Sequence, residues 1–319
     1  QGREFTSAGI APDDIMVEES GPVRATVRVR GAFADAEKTT WMRYLCRLHV
    51  VAGQAGARLE VTFENSELRP QMSLVSRFDL PLQFAGLTEI DAGQGACKLL
   101  LQDYDNRFLV DGKAQQGRAA GYCVAAHQAG TTVVAVRDFW QLYPKAFEAR
   151  PNGALAVGLL PPLPAAQYGN DDDRKLVDRL YYWCDEGRYK LRSGMRFTTD
   201  LSVVFGPQSS PAAFNAWIQN PLFAAATPAH YCGSGIFGNL VPRNPKAFTR
   251  YEGNVDKAFE EFMGRREDMR EYGFMNFGDW YGERTWNWGN VEYDTQFALA
   301  LHFMRTGHRA SLLRADEAA

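Results

Sequence analysis

The sequence predicts an antiparallel β-sandwich followed by the first helices of an incomplete α/α toroid, and three observations predict it. Apolar residues alternate with period two from Val17 to about Phe205, a proline-rich stretch follows, and beyond residue 251 the apolar spacing becomes that of a helix. These divide the 319 residues into a β-sandwich domain (1–206), an irregular connector (207–251) and the start of the helical array (252–319).

In the first part, Val23, Ala25, Val27 and Val29 alternate with Arg24, Thr26, Arg28 and Arg30, the pattern of a half-buried strand with a charged outer face. Leu59, Val61 and Phe63 repeat it, as do Phe197, Leu201, Val203 and Phe205. Turn residues such as Gly53–Gly56 and Pro151–Gly153 separate the strands, and many strands without long helices between them favour two packed antiparallel sheets. In the connector, prolines at 211, 221, 228, 242 and 245 oppose continuous helix and central strand alike. Phe259, Phe262, Met263 and Met269 then mark a helix closed by Gly273. Phe297, Ala300, Leu301 and Met304 mark a second, closed by Gly307, and a third opens near Arg309. Two or three helices cannot bury all their apolar faces, so the remainder of a toroid is expected elsewhere in a longer chain, and both ends of the sequence read as cut.

Composition narrows the function. A net charge of -3 and a pI near 6.0 provide no basic field for nucleic acid. No apolar run is long enough to span a bilayer. The five scattered cysteines form no C-x-x-C pair, the five histidines share no metal-ligand spacing, and nucleotide-binding and serine-nucleophile motifs are missing, so neither metal nor cofactor is expected.

The richest segment runs from Asn276 to Asp294 between two predicted helices, with Trp280, Trp286 and Trp288 inside nine residues, alongside Tyr281, Arg284, Asn290 and Tyr293. Aromatic faces stack on the C–H faces of sugar rings, while Asn, Asp and Arg hydrogen-bond the hydroxyls, so the mixture suits carbohydrate. Plugging the end of a helical bundle explains the tryptophans as well, and capping of the next helix explains Asn290, Glu292 and Asp294. A second cluster, Arg137 to Glu148, places Arg137, Phe139, Gln141, Tyr143 and Lys145 on one face if it is a strand, either a binding face for an acidic sugar or a solvated one. A third, Tyr181 to Gly194, reads as a hairpin turning at Asp185, Glu186 and Gly187, with Tyr189 and arginines beside it.

Several of these phrases resemble the exo-rhamnogalacturonan lyase family, polysaccharide lyase family 26. They are Val17–Ala25, Arg137–Lys145, Gly187–Gly194, and Phe277–Tyr281 followed by Trp288–Asp294. The resemblance implies a supersandwich-like fold, a secreted or periplasmic location, an acidic polysaccharide or oligosaccharide as partner, and β-elimination at a galacturonic acid. That reaction requires a group neutralising the uronate, a base at C5 and an acid for the leaving oxygen. By residue type and position in these phrases, Arg137 or Lys145 is expected to pair with the carboxylate, Asn290 or Arg284 to assist, and Tyr293 or Tyr189 to move protons. Tyr143, Trp280, Tyr281, Trp286 and Trp288 complete the binding surface. Thr198, Thr199 and Asp200 stand where the family pattern has a histidine. Glycoside hydrolysis by paired carboxylates such as Asp279 and Glu283, and sugar binding without catalysis, are the alternatives.

Overall fold

The computed structural model describes residues 2–68, 71–168, 184–206, 210–280 and 293–319. The chain divides into two compact units, Gln1–Pro221 and Leu222–Ala319.

Among the described residues the first unit carries eighteen strands. They are β1 (Asp14–Ser20), β2 (Arg24–Ala34), β3 (Thr40–Val51), β4 (Gly56–Glu64), β5 (Ser73–Val75) and β6 (Phe78–Gln83). Next come β7 (Ile90–Asp91), β8 (Ala96–Cys97), β9 (Leu99–Tyr104), β10 (Arg107–Val110), β11 (Lys113–Gln116) and β12 (Tyr122–His127). The last are β13 (Gly130–Val136), β14 (Lys145–Ala149), β15 (Ala154–Leu160), β16 (Cys184–Asp185), β17 (Arg188–Leu191) and β18 (Arg196–Phe205). They form a nine-stranded sheet ordered β1-β2-β3-β4-β18-β13-β12-β7-β8, a six-stranded sheet ordered β11-β10-β9-β14-β15-β6, and a three-stranded sheet ordered β16-β17-β5. All the pairings are antiparallel, in agreement with the predicted β-sandwich.

The two large sheets share one core. Val61, Val134, Leu201 and Val203 come from the nine-stranded sheet, and Leu100, Phe147, Leu155, Val157 and Leu159 from the six-stranded one. Phe63, Phe78 and Phe197 join the sheets at one side, with Phe63 and Phe78 centroids 4.7 Å apart. The charged outer face expected of β2 is laced by ion pairs: Arg24 to Glu19, and Arg28 to Asp14 and Glu18. The core ends before β1, where Ile15 and Val17 remain exposed.

After the strands, α1 (Pro211–Gln219) packs on β12 and β13. The second unit holds α2 (Pro228–Gly233), α3 (Thr249–Asp268), α4 (Thr295–Thr306) and α5 (Arg309–Ala318). The region expected to resist helix thus contains two short ones. The reason is positional: Pro211 and Pro228 occupy the first helical position, where no N–H is needed, behind Ser210 and Thr227 as N-caps. The toroid is corrected by the structure. Among the described residues α4 packs on α2 and α5, and what α3 buries is charged, Glu252 and Arg266, with Glu252 paired to Arg305 of α4 at 2.5 Å. A ring of apolar helical hairpins is not what these side chains build.

Candidate functional site

The segment Arg137–Tyr143 is not a strand. β13 stops at Val136, Asp138 takes a positive φ of 53°, Leu142 N donates to Asp138 O, and extended structure resumes only at Lys145. The expected polar face therefore does not exist. Phe139 turns into the core and stacks on Phe147 with centroids 4.9 Å apart. Tyr143 is buried beside Tyr104. Arg137 is half-buried, 3.5 Å from the Asp138 carboxylate.

Lys145 shares the side of β14 that carries Phe147, so it points inward and is 2% exposed. Its Nζ donates to Leu159 O at 2.8 Å, and burial pushes the amine down to about 7. Tyr189 is wholly buried on β17, its hydroxyl donating to Pro161 O at 2.5 Å, and burial pushes that hydroxyl well above the ordinary tyrosine range. Such a group braces a loop and has no face for a ligand. The hairpin does turn where expected, through Glu186 and Gly187, both with positive φ. Thr199, in place of the histidine of the family pattern, is 1% exposed on β18.

In the second unit Trp280 is 6% exposed, edge-on to Phe262 and beside the Arg314 guanidinium, so it fills the interior of its own unit. Tyr293 is exposed. Tyr281, Arg284, Trp286, Trp288 and Asn290, with Glu283 of the hydrolase alternative, lie outside the described residues. Among the described residues no three or more His, Cys, Asp or Glu side chains gather as metal ligands.

A small hollow of about 60 Å³ lies elsewhere, on the outer face of the six-stranded sheet. That is well below the roughly 300–1,000 Å³ of small-molecule sites, so the hollow is a shallow dent against which one face of a ligand could rest. Strand register explains its floor. One row across the sheet reads Leu101, Ala146, Gly158, Asp79, and the next reads Leu99, Glu148, Ala156, Pro81. Where neighbouring strands put leucine or acid, β15 puts Ala156 and Gly158, and the surface sinks. At Gly158 there is little room for more, since an added Cβ would sit 3.1 Å from the Ala146 Cβ and 3.2 Å from the Pro161 Cβ. Pro161 and Pro162 form a wall. The Tyr189 hydroxyl holds Pro161 in place from behind, and Gly187 lies against Leu163 O, where a Cβ would be only 2.4 Å away.

The rim is a closed quartet of charges. Arg77 pairs with Asp79 and Glu148, and Arg150 pairs with the same two acids, at 2.5 Å to Asp79 and 3.1 Å to Glu148. Burial by itself would raise the Glu148 carboxyl, but hydrogen bonds and charge from Arg150 and Arg77 outweigh it and hold it below the usual range. Asp79 Oδ1 is buried with no hydrogen-bond partner among the described residues. Sequence reading reached Glu148 but not the hollow. The available signal was the run from Ala154 to Leu160, where Ala154, Ala156 and Gly158 share one face and Leu155, Val157 and Leu159 the other.

No family model and no curated protein matches the chain. Solved structures give remote similarities. A protein of Klebsiella pneumoniae subsp. pneumoniae described as an aldose 1-epimerase aligns at 13% identity and TM-score 0.33, covering 65% of this chain and 58% of that one. A galactose mutarotase related enzyme of Lactobacillus acidophilus aligns at 9% identity and TM-score 0.27, covering 66% and 74%. A GH36 alpha-galactosidase of Geobacillus stearothermophilus aligns at 11% identity and TM-score 0.28, covering 65% and 27%. The resemblance to rhamnogalacturonan lyases is therefore corrected: no family model matches, and these solved chains are described as sugar epimerases, mutarotase-related enzymes and galactosidases. The expectations of β-elimination and of a pectic substrate go with it.

Proposed function

We propose that the protein is carbohydrate-directed and binds sugar in the hollow of the six-stranded sheet. The observation that carries this reading is the pairing of a small, apolar floor with a polar rim. A sugar ring has a C–H face and an edge of hydroxyls. Ala146, Ala156, Gly158 and the two leucines suit the former, and the carboxylates and guanidinium of the rim suit the latter. Binding without hydrolysis is the better-supported form. Glycoside cleavage needs a carboxylic acid that keeps its proton near neutral pH. Arg77 and Arg150 do the opposite to Glu148, keeping it ionised.

The test is calorimetric titration of the protein with a panel of methyl glycosides and short oligosaccharides, alongside Ala156→Phe, which fills the hollow from its floor. Binding by the wild type and at least tenfold weaker binding by the folded variant is the expected result. Equal affinity for both would remove the hollow from consideration.

A further inference from the structure

The charged quartet beside the hollow also covers part of β15. Asp79 belongs to β6 and Glu148 to β14, and β15 runs between those two strands. In register Asp79 stands opposite Gly158 and Glu148 opposite Ala156, so the acids flank β15 about 10 Å apart, the width of two strand spacings. Arg77 bonds both acids, and so does Arg150, so both guanidiniums bridge over β15. Small side chains lie beneath them. Ala154 and Ala156 are 2% and 1% exposed, although they sit on the outer face, opposite the core side that carries Leu155 and Val157. Uncovered alanines on an outer sheet face are open to water; here the arginine stems shield them.

The bonding is redundant as well. Both arginines use the same two oxygens, Asp79 Oδ2 and Glu148 Oε2. When Arg77 swings away, each oxygen keeps its bond to Arg150, so the movement strands no carboxylate. Arg150 is held at the β14–β15 turn, its N–H donating to Ala154 O and its carbonyl accepting from Gly153 N. Arg77 is the more exposed of the pair and the one that lines the hollow. From this arrangement we propose that Arg77 is a latch on the sugar site, a form of regulation that rests on the sugar-binding reading above. Closed, it limits the hollow to about 60 Å³; released, it lengthens the hollow along β15 over Gly158 and Ala156. The closed volume is too small to enclose a sugar ring, and the opened trough adds the floor that a ring needs. Two part-exposed ion pairs hold the latch, and such pairs are weak in water and weaker in salt, so release is easy.

Access to the trough is read without a ligand. Ala156→Cys places a thiol beneath Arg77, and its alkylation by iodoacetamide, an uncharged probe, is followed by mass spectrometry of the peptide that carries it. Labelling is expected to be slow in low salt and to quicken in high salt. With Arg77→Ala added, it is expected to be about fivefold faster in low salt and insensitive to salt. Titration of the wild-type chain with methyl galactoside and methyl glucoside needs no substitution. These neutral sugars are expected to bind more tightly in high salt than in low, because salt frees the latch. Equal labelling with and without Arg77, at one rate in both salts, would overturn the latch and leave the sugar reading to its own titration. Sugar affinity that falls as salt rises would overturn it too. A thiol that labels as expected, together with no sugar binding by the wild type or by Arg77→Ala, would keep the latch and overturn the sugar reading.

Discussion

Replacing Lys145 by methionine is expected to stabilise the protein at neutral pH and to remove a rise in its stability with alkalinity. The amine is 2% exposed, makes no ion pair among the described residues, and donates one hydrogen bond, to Leu159 O. Burial lowers it from 10.5 to about 7. In the unfolded chain the amine holds its proton up to about pH 10, whereas in the folded chain it gives it up above about pH 7. Between those values the unfolded state binds more protons, so folding stability climbs with pH by up to about 1.4 kcal/mol per pH unit, and below pH 7 it is flat. The full gap sets a ceiling of about 5 kcal/mol, of which about 2 kcal/mol is recovered between pH 7 and pH 9. Methionine fills similar volume without a charge but strands the Leu159 carbonyl, at a cost of about 1–3 kcal/mol. The variant is therefore expected to gain about 1–3 kcal/mol at pH 7 and to lose that advantage by pH 9. Guanidinium denaturation of both proteins at pH 7, 8 and 9 measures this. Parallel pH profiles would show that Lys145 is not buried as an uncompensated amine, and the reasoning would fail.

Two further outcomes follow from the packing. Tyr189→Phe removes the hydroxyl that holds Pro161 and leaves that carbonyl unpaired, so thermal unfolding is expected to show a loss of about 1–3 kcal/mol. Because Pro161 walls the hollow, sugar affinity is expected to fall in the same variant at temperatures where it remains folded; unchanged affinity would separate the brace from the site. Arg305→Leu removes the cation beside the Glu252 carboxylate, leaving it the Asn244 N–H, and is expected to cost about 3 kcal/mol, read by denaturant unfolding of the full chain. A loss below about 1 kcal/mol would mean that water already reaches the pair.

The sites proposed from sequence fared according to how far each depended on local chemistry. The Glu186–Gly187 turn of the β16–β17 hairpin is local and was legible, because those residues accept positive φ in a two-residue turn. The Arg137–Lys145 cluster was not. Its alternation of residue types resembles a strand, but the chain turns at Asp138, and a period-two pattern without a partner strand does not by itself make one. Lys145 then went inward rather than onto a binding face, because β14 sets its side by the parity of Phe147.

What the sequence by itself determined is the change from strand to helix along the chain and the core-facing side of the clearly alternating strands, since periodicity and turn residues act over a few neighbours. The alternation of β2, β4 and β18, the helix closed by Gly307, and the small-residue face of β15 are written there, whereas α3 stops at Asp268, short of the Gly273 expected to close it. Only the tertiary structure decided the hollow. Asp79 lies 69 residues before Glu148 and Gly158 ten after it, and it is the pairing of β6, β15, β14 and β9 that lays them side by side. Register is a property of two strands at once, so no single stretch of sequence contains it.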